Sequence, residues 1–226
     1  MDIKWVVGRA VNRSLKKVGL KLVLADSFVV NSEWAYRLLY FRNLFELIQD
    51  VEGDVLECGV GGGYSLAMFM VLTRTYKRRH IIGFDSFNGL PEPVAQDLDN
   101  PKAVARKGAL SSPESIVWNN LKNAGLDDTD VITVVKGWFA QSLPKYRGTI
   151  ALLHLDADLY ESTKVALENL WPQVAVGGIV ALDEYQKVEM WPGEKQAVDE
   201  YFAKHSGVKM CKDPIVGRYY FIKVSE

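Results

Sequence analysis

The chain predicts a doubly wound α/β fold, a mostly parallel sheet with helices on both faces. Three observations carry that expectation. From Gly53 onward short apolar, β-branched runs alternate with helix-like stretches; a glycine-rich bend follows the first run; and two later runs each end in a pair of acidic residues, Asp156/Asp158 and Asp183/Glu184. Helical crossovers between parallel strands produce such an alternation, and open α/β sheets bind ligands beyond the carboxyl ends of their strands.

At 226 residues the chain suits one domain with a full core and an N-terminal extension. From Met1 to about Asp26 it is basic and loosely amphipathic, with Lys4, Arg9, Arg13, Lys16, Lys17 and Lys21 interrupting Val6, Val7, Ala10, Val11, Leu15 and Val18. Read as a helix, this segment is either a surface or dimer-contact helix or a peripheral membrane-surface helix. The first alternative makes a homo-oligomer the expected assembly. A second helical segment, Glu33 to Gln49, carries Leu38, Leu39, Phe41, Leu44, Phe45 and Leu47 and should pack on the sheet or on a partner chain. Residues 1–52 are thus expected to form a helical extension, acting as lid or dimer contact, and 53–226 the ligand-binding domain.

Strand-like runs follow at Asp54–Cys58, His80–Asp85, Val131–Val135, Ile150–Asp156 and Gly178–Asp183, with helices between them and Gly177-Gly178 closing the last helix. Near the end, Gly207–Cys211 and Arg218–Val224 flank a Pro214/Gly217 turn and should pair as an antiparallel hairpin at one sheet edge. Between Leu90 and Ser112 no period is sustained and Pro91, Pro93 and Pro101 interrupt the chain, so this stretch is expected to be a mobile lid or substrate loop.

Composition removes several function classes. A net charge of −1, with no long basic run, gives no general attraction to nucleic acid. Cys58 and Cys211 lie far apart and form no His/Cys cluster, so neither a zinc site nor a disulfide framework is indicated and a reducing cytoplasm is the default location. No run approaches the ~20 apolar residues that span a bilayer.

The acidic pairs should emerge at neighbouring strand ends. Carboxylates gathered in one crevice repel each other unless a hard cation lies among them, so a Mg²⁺-like site is the leading reading, against solvated loop acids and helix N-caps. The glycine bend reads Glu57-Cys58-Gly59-Val60-Gly61-Gly62-Gly63-Tyr64-Ser65. Tyr64 stands where a dinucleotide fingerprint has its last glycine, which disfavours NAD. Asp85, about twenty residues on, is placed to accept bonds from both hydroxyls of a ribose. Glu57 suits a cationic ligand group and would repel a phosphate. These features call for a cofactor with a ribose and a positive charge but no phosphate, and S-adenosylmethionine meets that description.

Five blocks then carry a resemblance: Glu57–Gly63, Gly83-Phe-Asp-Ser-Phe-Asn-Gly-Leu-Pro91, Lys136–Phe139 with Leu143-Pro144, Leu155-Asp-Ala-Asp-Leu-Tyr-Glu-Ser-Thr163, and Gly177–Tyr185. In this order, over roughly Gly53 to Val224, the chain resembles the macrocin O-methyltransferase family, metal-dependent enzymes that methylate sugar hydroxyls, many on antibiotic glycosides. The resemblance implies a Rossmann-like methyltransferase domain. It implies that Glu57, Gly59, Gly61, Gly63 and Ser65 line the methionine end of S-adenosylmethionine, that Asp85 and Ser86 hold its ribose, and that Gly137 and Trp138 border its adenine. It further implies Mg²⁺ on Asp156, Asp183 and Glu184, with Asp158 as general base. The family usually has Asp-Asp where this chain has Asp183-Glu184, so the extra methylene allows Glu184 to act through water.

His154 is a rival base, although a histidine inside an apolar strand is more often a buried core residue. A catechol or phenol acceptor is the alternative enzyme reading; it is disfavoured because Ala157-Asp158-Leu159 supplies no lysine after the first metal-binding aspartate. A non-catalytic Rossmann-like binding protein is the alternative outside enzymes. The acceptor itself is expected to be a small-molecule sugar or glycoside.

Overall fold

The computed structural model describes residues 32–225; the basic segment from Met1 to Asp26 lies outside them. The chain divides into two compact units at Ala35/Tyr36, and the second unit holds every strand of the sheet. Helix α1 (Ser32–Leu47) leads into β1 (Asp54–Cys58), α2 (Tyr64–Thr75), β2 (Ile81–Asp85), α3 (Glu114–Asn123), β3 (Ile132–Lys136), a short α4 (Phe139–Ser142), β4 (Ile150–Leu155), α5 (Tyr160–Leu170), β5 (Val174–Leu182), α6 (Pro192–Phe202), β6 (Val208–Lys212) and β7 (Tyr219–Lys223).

The strands form one sheet in the order β3-β2-β1-β4-β5-β7-β6. β1 pairs in parallel with β2 on one side and β4 on the other, and β5 continues the parallel run. The hairpin expected near the end is present, with β7 antiparallel to both β5 and β6. Strand alternation sorts the core into two layers. Val55 and Ile81 face one layer with α1, α2 and α3, through Phe41, Phe45, Phe69 and Leu121. Leu56, Cys58 and Phe84 face the other, with Leu167 and Leu170 of α5 and Val198 and Phe202 of α6. Helices therefore cover both faces, as the sequence pattern requires.

Two expectations are corrected. β5 begins at Val174, ahead of Gly177-Gly178, and α5 ends at Leu170 in a 3₁₀ turn over Trp171–Gln173. The diglycine does not close a helix; it absorbs an irregularity in which β4 advances from Ile150 to Leu152 while β5 advances from Val174 to Ile179, with Gly177 at φ 84°. The stretch from Leu90 to Ser112, expected to be a mobile lid or substrate loop, is anchored to the domain along its length, and both of its ends line the cavity described below. Asp97 is buried and accepts from the N–H groups of Val94 (2.9 Å) and Tyr160 (2.7 Å), Val104 N–H donates to the Met190 carbonyl at 3.2 Å, and Leu90 and Ala105 pack on Leu159 and Trp191.

Candidate active site

Strand order reverses between β1, which leads outward to β2, and β4, which lies on its other side; ligands of doubly wound folds bind at such a crevice. Here the glycine turn after β1 meets the acidic turn after β4. Asp156 N–H donates to the Cys58 carbonyl at 2.9 Å, and Gly59, at φ 94°, approaches so closely that a Cβ there would lie 2.9 Å from the Asp156 carbonyl carbon and nearer still to its oxygen. Only glycine suits that position.

A cavity of about 610 Å³ opens over this junction. Glu57, Gly59, Gly61, Ser65, Asp85, Ser86, Trp138, Asp156 and Asp158 all line it, so the sequence-derived cofactor and acidic residues share one wall. Gly63 lies just behind, as the left-handed N-cap of α2, and Gly137 sits one residue from Trp138, its N–H donated to the Asp85 carbonyl at 2.9 Å. Leu90, Pro91 and Leu110–Ser112 form the opposite rim.

Asp85 does more than face a ligand. Its Oδ2 accepts from Val60 N–H (2.8 Å) and Gly61 N–H (3.0 Å), and its Oδ1 from Phe87 N–H (2.7 Å). One carboxylate thus fastens the glycine turn to the end of β2 while keeping lone pairs toward the cavity.

Asp158 occupies a strained position. Its φ is 60°, rare for a residue with a Cβ, in a tight turn closed by Leu159 N–H on the Ala157 carbonyl at 2.6 Å. Burial and the carboxylates of Asp156, Glu184 and Asp183 push its carboxyl up to about 9; burial and Asp183 push Asp156 up to about 7, and burial with Asp183 does the same for Glu184. Burial is the largest cause, and negative charge gathered without enough compensation adds to it. Oxygens of Asp156, Asp158 and Glu184 lie within 4.8 Å of one another, and Asp156 also belongs to a second such group with His154 and Asp183. Hard, crowded carboxylate donors fit a hard divalent cation.

Asp183 is the exception within the cluster. Although burial opposes ionisation, contacts with His154, Arg218 and Arg37 hold its carboxyl well below the ordinary carboxylate range. Arg218 Nη1 binds Asp183 Oδ1 and also donates to its main-chain carbonyl at 3.1 Å. Asp183 and Glu184 lie behind Asp156 and Asp158 and do not line the cavity themselves.

His154, the rival base, is fully buried and absent from the cavity wall. Its Nδ1 is 2.9 Å from Glu57 Oε1 and its Nε2 is 3.4 Å from Asp183 Oδ1, with the Phe41 and Phe69 rings edge-on against it. Burial lowers its affinity for a proton, but the two carboxylates outweigh this and raise it to about 9. The imidazole thus pairs with Glu57, a cavity carboxylate, through Nδ1, while its Nε2 faces Asp183 without a hydrogen bond.

Sequence reasoning missed three residues of this centre: Arg37 on α1, Arg218 ahead of β7, and the buried carboxylate Glu194. Glu194 Oε1 accepts from Glu184 N–H at 3.1 Å, and burial raises its pKa well above the ordinary value. Each is brought in from a distant segment, and only Glu194 has a local cue, as an acid in the first turn of a helix opened by Pro192.

A profile of the Macrocin-O-methyltransferase (TylF) family matches residues 35–215. The chain belongs to this family. Among similar proteins, the demethyldecarbamoylnovobiocin O-methyltransferase of Streptomyces niveus is 36% identical over 174 residues, 72% of this chain and 65% of its own. The 8-demethyl-8-(2,3-dimethoxy-alpha-L-rhamnosyl)-tetracenomycin-C 4'-O-methyltransferase of Streptomyces olivaceus is 37% identical over 145 residues, 62% of this chain and 55% of its own. The chain thus spans just under two thirds of the first relative and just over half of the second. In structure it is similar to the O-methyltransferase NovP, with a TM-score of 0.72 and 32% identity over 84% of this chain and 80% of that one. It shares its fold with the calicheamicin methyltransferase CalS11, with a TM-score of 0.74 and 24% identity over 96% and 93% of the two chains. Among the described residues no helix is long and apolar enough to cross a membrane.

Proposed function

We propose that this chain transfers a methyl group from S-adenosylmethionine to a hydroxyl of a sugar or glycosylated natural product, with a divalent cation, Mg²⁺, at the acidic centre. The observation that carries the reading is the contact of the glycine turn with the acidic turn at the sheet's switch point, which brings the glycine turn, Asp156 and Asp158 to one cavity, with a Glu184 oxygen within 4.8 Å of both aspartates. Family membership supports the methyl transfer, and the glycoside acceptors in the relatives' names support the substrate class.

The surroundings of these residues support the following roles. Glu57, buried with Oε2 unpaired, suits the ammonium of the cofactor's amino-acid end, with Ser65 beside it at the start of α2. Asp85 and Ser86 take the ribose, and Trp138 and Gly137 border the base. S-adenosylmethionine would supply an electrophilic methyl group, and Asp156, Asp183 and Glu184 would hold a cation able to acidify the acceptor hydroxyl. Asp158, raised by burial and by the carboxylates of Asp156, Glu184 and Asp183, would serve as proton acceptor only where a bound cation offset that negative charge; a carboxylate is a weak base for an alcohol and is adequate only for an acidified hydroxyl. His154 is a positioning residue that fixes Glu57 through Nδ1.

Methyl transfer from labelled S-adenosylmethionine, assayed with Mg²⁺ and with chelator across nucleotide sugars, free glycosides and phenols, tests the proposal. Chelator-sensitive labelling of a glycoside is expected. Tight cofactor binding with no turnover on any glycan would support a binding protein, and preferential labelling of catechols would favour the phenol reading.

A further inference from the structure

Arg37 brings a guanidinium into the centre where the proposed function requires a divalent cation. Its Nη2 donates to Asp183 Oδ2 at 2.9 Å and lies 2.8 Å from Oδ1, while its Nη1 donates to Ser65 Oγ at 3.2 Å and stands 3.5 Å from Asp156 Oδ2. The two carboxylates depend on it unequally. Asp183 is also bound by Arg218 and faced by His154, whereas Asp156 makes no other ion pair among the described residues. Arg37 lines the cavity and is 18% exposed, so it has a route away from the centre.

We propose that Arg37 is a resident counter-cation: it balances Asp156 and Asp183 while no metal is bound, and a divalent cation taken up there must displace it from Asp156. The inference rests on the metal reading of the proposed function. A guanidinium keeps its charge at every working pH, and at a few ångströms it repels a dication in a poorly screened site. Loss of that contact leaves Asp183 compensated through Arg218. Asp183 keeps Arg218 as a second counter-charge, whereas Asp156 depends wholly on whichever cation, Arg37 or metal, is at hand. Arg37 therefore sets how tightly the centre holds its metal, and it protects the centre from charge repulsion before loading.

The test uses Arg37→Met and Arg37→Gln, which remove the charge, and Arg37→Lys, which keeps it. Mn²⁺ is titrated without cofactor by calorimetry and electron paramagnetic resonance, and melting temperatures are recorded in chelator and in Mn²⁺. The neutral variants should bind Mn²⁺ about tenfold more tightly or better. They should melt below the native chain in chelator and gain more from Mn²⁺. Arg37→Lys should keep near-native affinity. Equal or weaker Mn²⁺ binding by both neutral variants, alongside measurable binding by the native chain, overturns the counter-cation role and leaves the metal reading standing. Absence of Mn²⁺ binding in the native chain and in every variant overturns the metal reading, and the inference with it.

Discussion

Replacing Gly59 with alanine should damage both halves of the site at once. The new Cβ would sit 2.9 Å from the Asp156 carbonyl carbon, below the 3.0 Å that real Cβ contacts respect, and both partners are backbone at strand ends, so no side chain can swing aside. The turn must open, and the 2.9 Å bond from Asp156 N–H to the Cys58 carbonyl is the first contact to fail, at about 1 kcal/mol. Holding alanine at φ 94° adds about 1–2 kcal/mol. Together these give a loss of about 2–3 kcal/mol before any further repacking, or a fall in melting temperature of roughly 4–12 °C for a chain of this size. Calorimetric melting and S-adenosylmethionine titration on the same sample provide the assay. A melting temperature within about 1 °C of native, with unchanged cofactor affinity, would refute the claim that the two turns are one mechanical unit.

Asp158→Asn should lower kcat by roughly 10²–10⁴ while leaving the melting temperature almost unchanged, because asparagine also tolerates the left-handed conformation; steady-state kinetics and a thermal scan check both halves. Asp85→Ala should cost about 2–4 kcal/mol of stability as well as cofactor affinity, since three backbone N–H groups lose their acceptor; denaturant titration without ligand separates this from a pure binding residue, which would show no stability loss. Asp97→Ala should cost about 2–3 kcal/mol by stranding the N–H groups of Tyr160 and Val94, and should make residues 90–112 the first site of limited proteolysis; a native cleavage pattern would count against the anchoring.

These residues also mark the boundary of what the sequence makes legible. Elements whose signal is local come through: β1 spans the expected Asp54–Cys58, and the acidic pairs at Asp156/Asp158 and Asp183/Glu184 do converge. Gly177-Gly178 misleads because a diglycine reads the same whether it ends a helix or kinks a strand; the choice is made by pairing with β4, which is non-local. Asp85 is legible as an acid at a strand end but not as the clasp of the glycine turn. Arg37 and Arg218 carry no local mark, since an arginine among apolar neighbours on a helix or before a strand is ordinarily a solvated side chain. His154 is legible as a buried strand histidine, while the two carboxylates that flank it come from β1 and the end of β5.

Arg218 lies 35 residues beyond Asp183, across α6 and β6. During synthesis on the ribosome all five parallel strands are therefore complete while Asp183 still lacks this guanidinium, and the sheet must assemble around an anion that is not yet fully balanced. The acidic end of the sheet is thus finished last, by the residue that leads into the strand closing the edge hairpin. A nascent chain stalled before Arg218 should show a compact, protease-resistant sheet that does not yet hold its ligands.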